Sequence, residues 1–325
     1  MSEAENWTTI KEFTLVGFPS LNPRYSILMA FIFFLVYATT IVGNCLLLLV
    51  YANERSLRKP MYGFMVSLAL SDIGLSTVAL PRIIVKYGFN NDKIPFSLCF
   101  MQMNLITYFI TLSSLIMMLM AVDRYIAICL PLKYPVLMKN VTMLVVNFAA
   151  WLVSFIPPTI ATVDALSVPY CGPNQIIQIF CDQFSITKLA CADITYQTTS
   201  SFTRAIIVLM LPFAFIIFSY SQIIVSVQRI TSARRRWKCF STCSTQLCII
   251  AIYYLPRCSL HFINYLGIYI TPDLRIGLVF VCNIFPPFIN PLIYFFRNNT
   301  ITETLGQWAC TYKLIKKSTV ITISR

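Results

Sequence analysis

Seven stretches of the chain are long and almost free of charge: 25–50, 61–85, 98–122, 141–163, 205–227, 239–265 and 276–296. A helix needs about 20 such residues to cross the hydrocarbon core of a bilayer. The runs are too long for barrel strands of about 10 residues and do not alternate polar with apolar, so every backbone amide must find its partner inside a helix. With 58% hydrophobic and 11% charged residues the chain stands apart from soluble domains, which carry about 25% charge. The expected fold is an all-α membrane protein: a seven-transmembrane-helix bundle over 25–296, an extracellular segment 1–24 and a cytoplasmic tail 297–325. The opening "MSEAENWTTIKEF" has acidic residues and lacks the apolar stretch of a cleavable signal, so the first helix is expected to direct its own insertion.

The side on which each loop lies follows from Lys and Arg, which accumulate in cytoplasmic loops. The 51–60 loop, the 123–140 segment, the loop "QRITSARRRWK" and the tail together hold 16 cations against three acids, Glu54, Asp123 and Glu303. The opposite side holds 9 cations and 8 acids. The net charge of +13 is therefore assigned to the cytoplasm and the N-terminus to the outside. Sorting by charge, together with attraction to anionic lipid, accounts for the basic balance without a nucleic acid partner. On this topology "NWT" makes Asn6 a glycosylation acceptor, whereas the same pattern at Asn140 and Asn298 lies on the wrong side.

Four of the twelve cysteines, Cys99, Cys171, Cys181 and Cys191, fall outside, where disulfides persist. Three pairings are open to them. Three of the four lie in the long loop 164–203, so one bond ties that loop to the third helix and one closes it on itself. The four lack a histidine among them, which disfavours zinc.

Polar residues inside the membrane are costly and count as functional candidates. Asn44, Asp72, Ser113 and Asn290 stand in helices one, two, three and seven. They serve either as interhelical glue or as a regulatory ion site, with a sodium ion near Asp72 and Ser113 as the one small ion expected and no cofactor. In "FPPFINPLIYFF" the prolines Pro286, Pro287 and Pro291 predict a kink near Asn290, and Pro256 predicts another in helix six. Tyr254, Arg257, Cys258 and His261 recur at i, i+3, i+4 and i+7, so they form one stripe. Past helix seven, Ile301, Leu305 and Trp308 predict a short amphipathic helix on the inner leaflet, ending at Cys310, a palmitoylation candidate.

Enzyme chemistry has little to draw on: one His, nine Gly, no Gly-rich phosphate loop and no metal-ligand spacing. A transporter or channel is the distant alternative, and it would show internal repeats between helix groups, which this chain lacks.

The remaining feature is "MAVDRYIAIC", Met120 to Cys129, which sets Asp123, Arg124 and Tyr125 where the third apolar run stops. Together with Gly43 and Asn44, "LALSD", Trp151, Pro212, Pro256 and "NPLIY" it resembles the rhodopsin-like G-protein-coupled receptors. "PMYGFM", "MAVDRYIAICLPLKYPVLM", "FSTC", the cysteines around "FCD" and "PPFINPLIY" resemble the odorant receptors within them. The resemblance covers residues 10 to 300. Gln246 stands where these receptors commonly carry His, Ser113 where many carry an acid, and Pro256 is a general receptor feature that many of them lack; these departures suggest a divergent, fish-type branch.

The resemblance implies an odorant receptor at the plasma membrane, in the cilia of olfactory neurons, that activates a stimulatory, olfactory-type G protein and raises cyclic AMP. A receptor for a lipid or other small ligand is the alternative. It also implies disulfides Cys99–Cys181 and Cys171–Cys191. Asp123 would hold Arg124 at rest in a charge-assisted pair, Tyr254 would be the pivot below the ligand, and Asn290, Pro291 and Tyr294 would relay to Asp72 and Arg124. The ligand-facing set is Ile106, Thr107, Ile110, Thr111, Arg204, Val208, Tyr254, Arg257, Cys258, His261, Phe280 and Asn283. Two arginines and the sole histidine on one cavity would favour an anion such as a carboxylate or sulfate, unless the arginines snorkel or pair with Asp182, Asp193 or Asp273.

Overall fold

A computed structural model of the chain describes residues 10–54, 60–171, 173–229, 233–266, 268–297 and 301–307. Asn6, Asn298, Trp308 and Cys310 lie outside the described residues. Six spans are long and apolar enough to cross a bilayer and a bent helix pair supplies a seventh. They are α1 (Ser26–Asn53), α2 (Pro60–Phe89), α3 (Phe96–Cys129), α5 with α6 (Asn140–Val153, Ile156–Leu166), α8 (Thr195–Gln228), α9 (Ala233–Tyr265) and α10 with α11 (Pro272–Asn283, Phe285–Arg297). Two short helices, α4 (Tyr134–Leu137) and α7 (Gln183–Thr187), lie in the connections.

Several helices outrun the apolar runs that predict them. α3 continues through Asp123, Arg124 and Tyr125 to Cys129, and α8 begins at Thr195 rather than near 205. Hydropathy marks the lipid slab, whereas the hydrogen-bond ladder continues through polar residues that tolerate helix.

The bend in the last span lies at Ile284, earlier in the chain than the expected kink near Asn290. Pro286 and Pro287 have no N–H for the carbonyls of Cys282 and Asn283, so the ladder is interrupted there and the axis turns by 40°. Pro291 acts differently. It leaves the Pro287 carbonyl without its intrahelical donor, and Asn44 of α1 supplies one, Nδ2 to O at 3.2 Å. Gly43 permits this approach, since a Cβ there would stand 3.0 Å from the Pro291 ring.

One end of the bundle carries a three-stranded sheet in the order β2-β1-β3, which the all-helical expectation did not include. β1 (Glu12–Leu15) pairs antiparallel with β2 (Lys93–Pro95) and parallel with β3 (Gln175–Ile176). Phe13 and Leu15 alternate inward and are wholly buried with Ile94, Phe100, Met103 and Tyr170. Gly17 turns the chain beyond β1 with φ +69, a conformation open to glycine, and a Cβ there would collide with the Tyr87 hydroxyl. That hydroxyl accepts from the Phe18 amide at 3.0 Å.

The same end holds both disulfides, Cys99–Cys181 and Cys171–Cys191, with Cα separations of 5.4 and 5.9 Å. Gln102 reinforces the first by accepting from the Cys181 amide at 3.0 Å. At the far end, residues 301–307 are helical, with Ile301 and Thr304 buried and Leu305 packed against the main core.

Candidate functional site

The switch residues line the lower half of the bundle. Asp72 on α2 is buried and accepts from Asn290 Nδ2 of α11 at 2.8 Å. Asn44 joins them through Pro287, so three helices meet on one polar patch. Ser113 faces Ser71 rather than Asp72: Ser71 donates to the Phe109 carbonyl and receives the Ser113 hydroxyl at 3.0 Å.

The expected Asp123–Arg124 pair is not formed. Neighbouring residues on a helix diverge by about 100°, so their side chains do not face each other. Asp123 is wholly buried and accepts instead from the Tyr134 hydroxyl of α4 at 3.0 Å, leaving its second oxygen without a hydrogen bond. Burial and the Asp123 charge push the Tyr134 phenol up to about 12, which keeps it protonated as the donor. Tyr125 lies against Phe218, ring centroids 6.3 Å apart. Tyr294 of α11 and Tyr220 of α8 are buried with hydroxyls that make no hydrogen bond. Such orphaned groups mark a strained or functional position.

The ligand-facing candidates divide into three groups. In the first, Pro212 leaves the Val208 carbonyl free and Ser114 of α3 takes it at 3.0 Å. Tyr254, with no exposed surface, donates to Ser114 Oγ at 2.8 Å and stacks on Phe213 at 4.8 Å. One serine thus binds α3, α8 and α9 at a proline-weakened level.

In the second group, Arg257 is buried on α9, one residue beyond Pro256. It donates to the Tyr253 carbonyl at 3.0 Å and to Asn283 Oδ1 of α10 at 3.2 Å, and its guanidinium lies 3.8 Å from the Tyr253 ring centre. The Tyr253 hydroxyl reaches the Ile110 carbonyl at 2.5 Å. Cys258 and His261 follow on the same helix, Cys258 against the main core. Among the described residues, none of the hydrogen-bond partners of Arg257 is an acid.

The third group makes its contacts within the protein. Arg204 reaches Asp164 of α6, at 2.6 Å, and also holds Ser200 and Gln183. Its partner is thus Asp164 in place of the expected Asp182, Asp193 or Asp273, since the helix that carries Asp164 continues past the 141–163 apolar run. Thr107 and Thr111 donate to the carbonyls of Met103 and Thr107. Phe280 lies edge-on to Phe33 of α1, and Ile106 is buried in the same apolar cluster.

Asp164, Ser114 and Tyr134 are the residues that sequence reasoning missed. Asp164 carried a signal, an acid at the end of an apolar run; the other two became visible only when prolines and a loop helix placed carbonyls and carboxylates beside them.

A family model described as "Olfactory receptor" matches residues 33–311. Human "Olfactory receptor 2AT4" is 36% identical over 90% of this chain and 91% of its own length. Human "Olfactory receptor 10A5" is 32% identical over 93% and 95%. Squid rhodopsin, a crystal structure, superposes with a TM-score of 0.71 at 17% identity, covering 88% of this chain and 86% of its own, which supports the seven-helix fold. The chain belongs to the olfactory receptor family of rhodopsin-like G-protein-coupled receptors, multi-pass membrane proteins that are not enzymes and that take an odorant and a G protein as partners.

Proposed function

We propose that this receptor binds a small odorant among α3, α9 and α10 at the sheet-capped end, which faces outside, and activates a stimulatory, olfactory-type G protein at the Asp123 end to raise cyclic AMP. The observation that carries the reading is Tyr254. It is fully buried between the Arg257 level and the lower core, and its single hydroxyl closes the Ser114 junction of three helices. A ligand that displaces this ring loosens α9 from α3 and α8 together, and α9 carries Pro256 as a built-in weak point. Release of Asp123 from Tyr134 and engagement of the orphaned Tyr220 and Tyr294 hydroxyls would accompany the exposure of Arg124.

Arg257, buried among neutral partners, supports an organic anion as the ligand class, since a guanidinium fork matches a carboxylate or sulfate. A sodium ion belongs to the same reading. Asp72 offers a buried carboxylate and Asn290 Oδ1 makes no hydrogen bond, a hard oxygen set suited to such an ion, while Ser113 is engaged by Ser71. Residence in olfactory cilia, glycosylation at Asn6 and palmitoylation at Cys310 complete the proposal.

The test is a cyclic AMP reporter in cells that supply the olfactory G protein, challenged with acidic and neutral odorants. Arg124→Ala should abolish the response at normal surface level, and Tyr134→Phe should raise basal signalling a few-fold, as expected from a lost hydrogen bond of about 1 kcal/mol. An odorant-evoked current that persists without any G protein would overturn the reading.

A further inference from the structure

Beside the bundle site lies a separate cavity of about 440 Å³ at the sheet-capped end, between α7, β3 and the α9–α10 connection. Its wall is apolar, from Ile177, Ile263, Ile268 and Ile270, and Ile177, Ile268 and Tyr269 stand exposed at it. Its charged lining is all cationic, Lys188 and Arg275, beside the neutral Gln175 and Ser185. Phe184 contacts two cations, Lys188 Nζ 4.2 Å and the Arg275 guanidinium 4.0 Å from its ring centre. The nearby acid Asp182 caps α7 through the Ser185 amide at 3.1 Å, and its single charge is shared between Lys188 and Arg275. Burial and the Arg275 charge both push the Lys188 amine below the usual lysine range, with Asp182 acting in the opposite sense. Two cations on one ring, outnumbering the acid beside them, leave room for one further negative charge.

We propose that this cavity is a second binding site, specific for amphipathic organic anions, in which a carboxylate or sulfonate sits between Lys188 and Arg275 and its apolar body rests on the isoleucine wall. Arg275 supplies the bidentate fork and Lys188 a point charge, while Phe184 holds both. Ile263 is six residues beyond Arg257 on α9, about 9 Å of helix rise, so the site lies outward of the bundle pocket. It serves as the first stop for an acidic odorant, a role that rests on the receptor reading above; binding itself does not.

The experiment uses the full receptor in phosphatidylcholine nanodiscs with two fluorescent probes, naphthalene-2-sulfonate and the neutral naphthalene-2-methanol, without any G protein. Native receptor should bind the sulfonate at least about tenfold more tightly than the alcohol, the size expected of a charge-assisted contact. Lys188→Gln should cut sulfonate affinity about threefold and Lys188→Gln with Arg275→Gln about tenfold, on the same scale, with alcohol binding unmoved. Lys93→Gln, which removes an exposed cation on the sheet, should change neither. Should Arg275→Gln fail to fold, Lys188→Glu on the exposed Lys188 carries the test, with a larger sulfonate loss than Lys188→Gln. Equal binding of both probes, or sulfonate binding untouched by the Lys188 and Arg275 substitutions, overturns the site. So does a loss confined to Arg257→Gln, which would put the anion in the deeper pocket. A receptor that binds the sulfonate at Lys188 and Arg275 yet evokes no cyclic AMP keeps this site and removes the signalling reading.

Discussion

Two arginines, Arg257 buried and Arg204 partly so, stand in the same half of the bundle with opposite surroundings. Arg204 has an acid at 2.6 Å and two further oxygen partners, so its charge is closed off within the protein. Arg257 has a carbonyl, an amide oxygen and an aromatic face, so its direct contacts are all neutral. The first arrangement fixes α6 to α8. The second keeps a cation at low exposure, where it costs most. The chemistry of the partner separates them: an acid for Arg204, neutral oxygens and a ring for Arg257.

Breaking the closed arginine should have the largest effect. Asp164→Asn strands the Arg204 charge and should cost about 3–5 kcal/mol, seen as a lowered melting temperature and lost surface receptor. Asp164→Asn combined with Arg204→Gln should recover most of that loss; if it recovers none, the pair is not what holds α6 to α8. Arg257→Gln strands no acid among its partners, so its melting should stay within about 1–2 kcal/mol of native. Its potency toward carboxylate odorants should nevertheless fall about tenfold or more, with neutral odorants spared. Equal losses for both odorant classes would make Arg257 a structural group like Arg204. Asn283→Ala, which removes one acceptor from Arg257, should shift carboxylate potency a few-fold, in line with about 1 kcal/mol per hydrogen bond. Smallest of all, Gln183→Ala should weaken the Arg204 network by at most about 1 kcal/mol and leave odorant ranking intact in the same reporter.

The helices were legible because lipid imposes one requirement over about 20 residues at a time, and Phe13 and Leu15 show why the sheet was not. Three strands of two to four residues carry too little periodicity to stand out beside helices, and their partners lie far apart in the chain. Within the site, individual side-chain partners escaped notice because proline chemistry creates them. Ser114 has a role only because Pro212 vacates the Val208 carbonyl, and Asn44 only because Pro291 vacates that of Pro287. Arg204 was misplaced for a simpler reason. A hydropathy window that stops at 163 omits the acid that captures it. The disulfide pairing came from resemblance rather than from spacing, and the geometry agrees with it.

The strand order β2-β1-β3 has a consequence for how the receptor is made. β1 is the middle strand, yet the ribosome completes it first, while β2 emerges only after two spans and β3 only after four. β1 therefore stays without its strand partners, its inward Phe13 and Leu15 uncovered, until the loop that bears β3 has been made. The sheet is a late seal on assembly, and a chain stalled or mispaired before that loop arrives presents a bare hydrophobic strand, a template for wrong pairing.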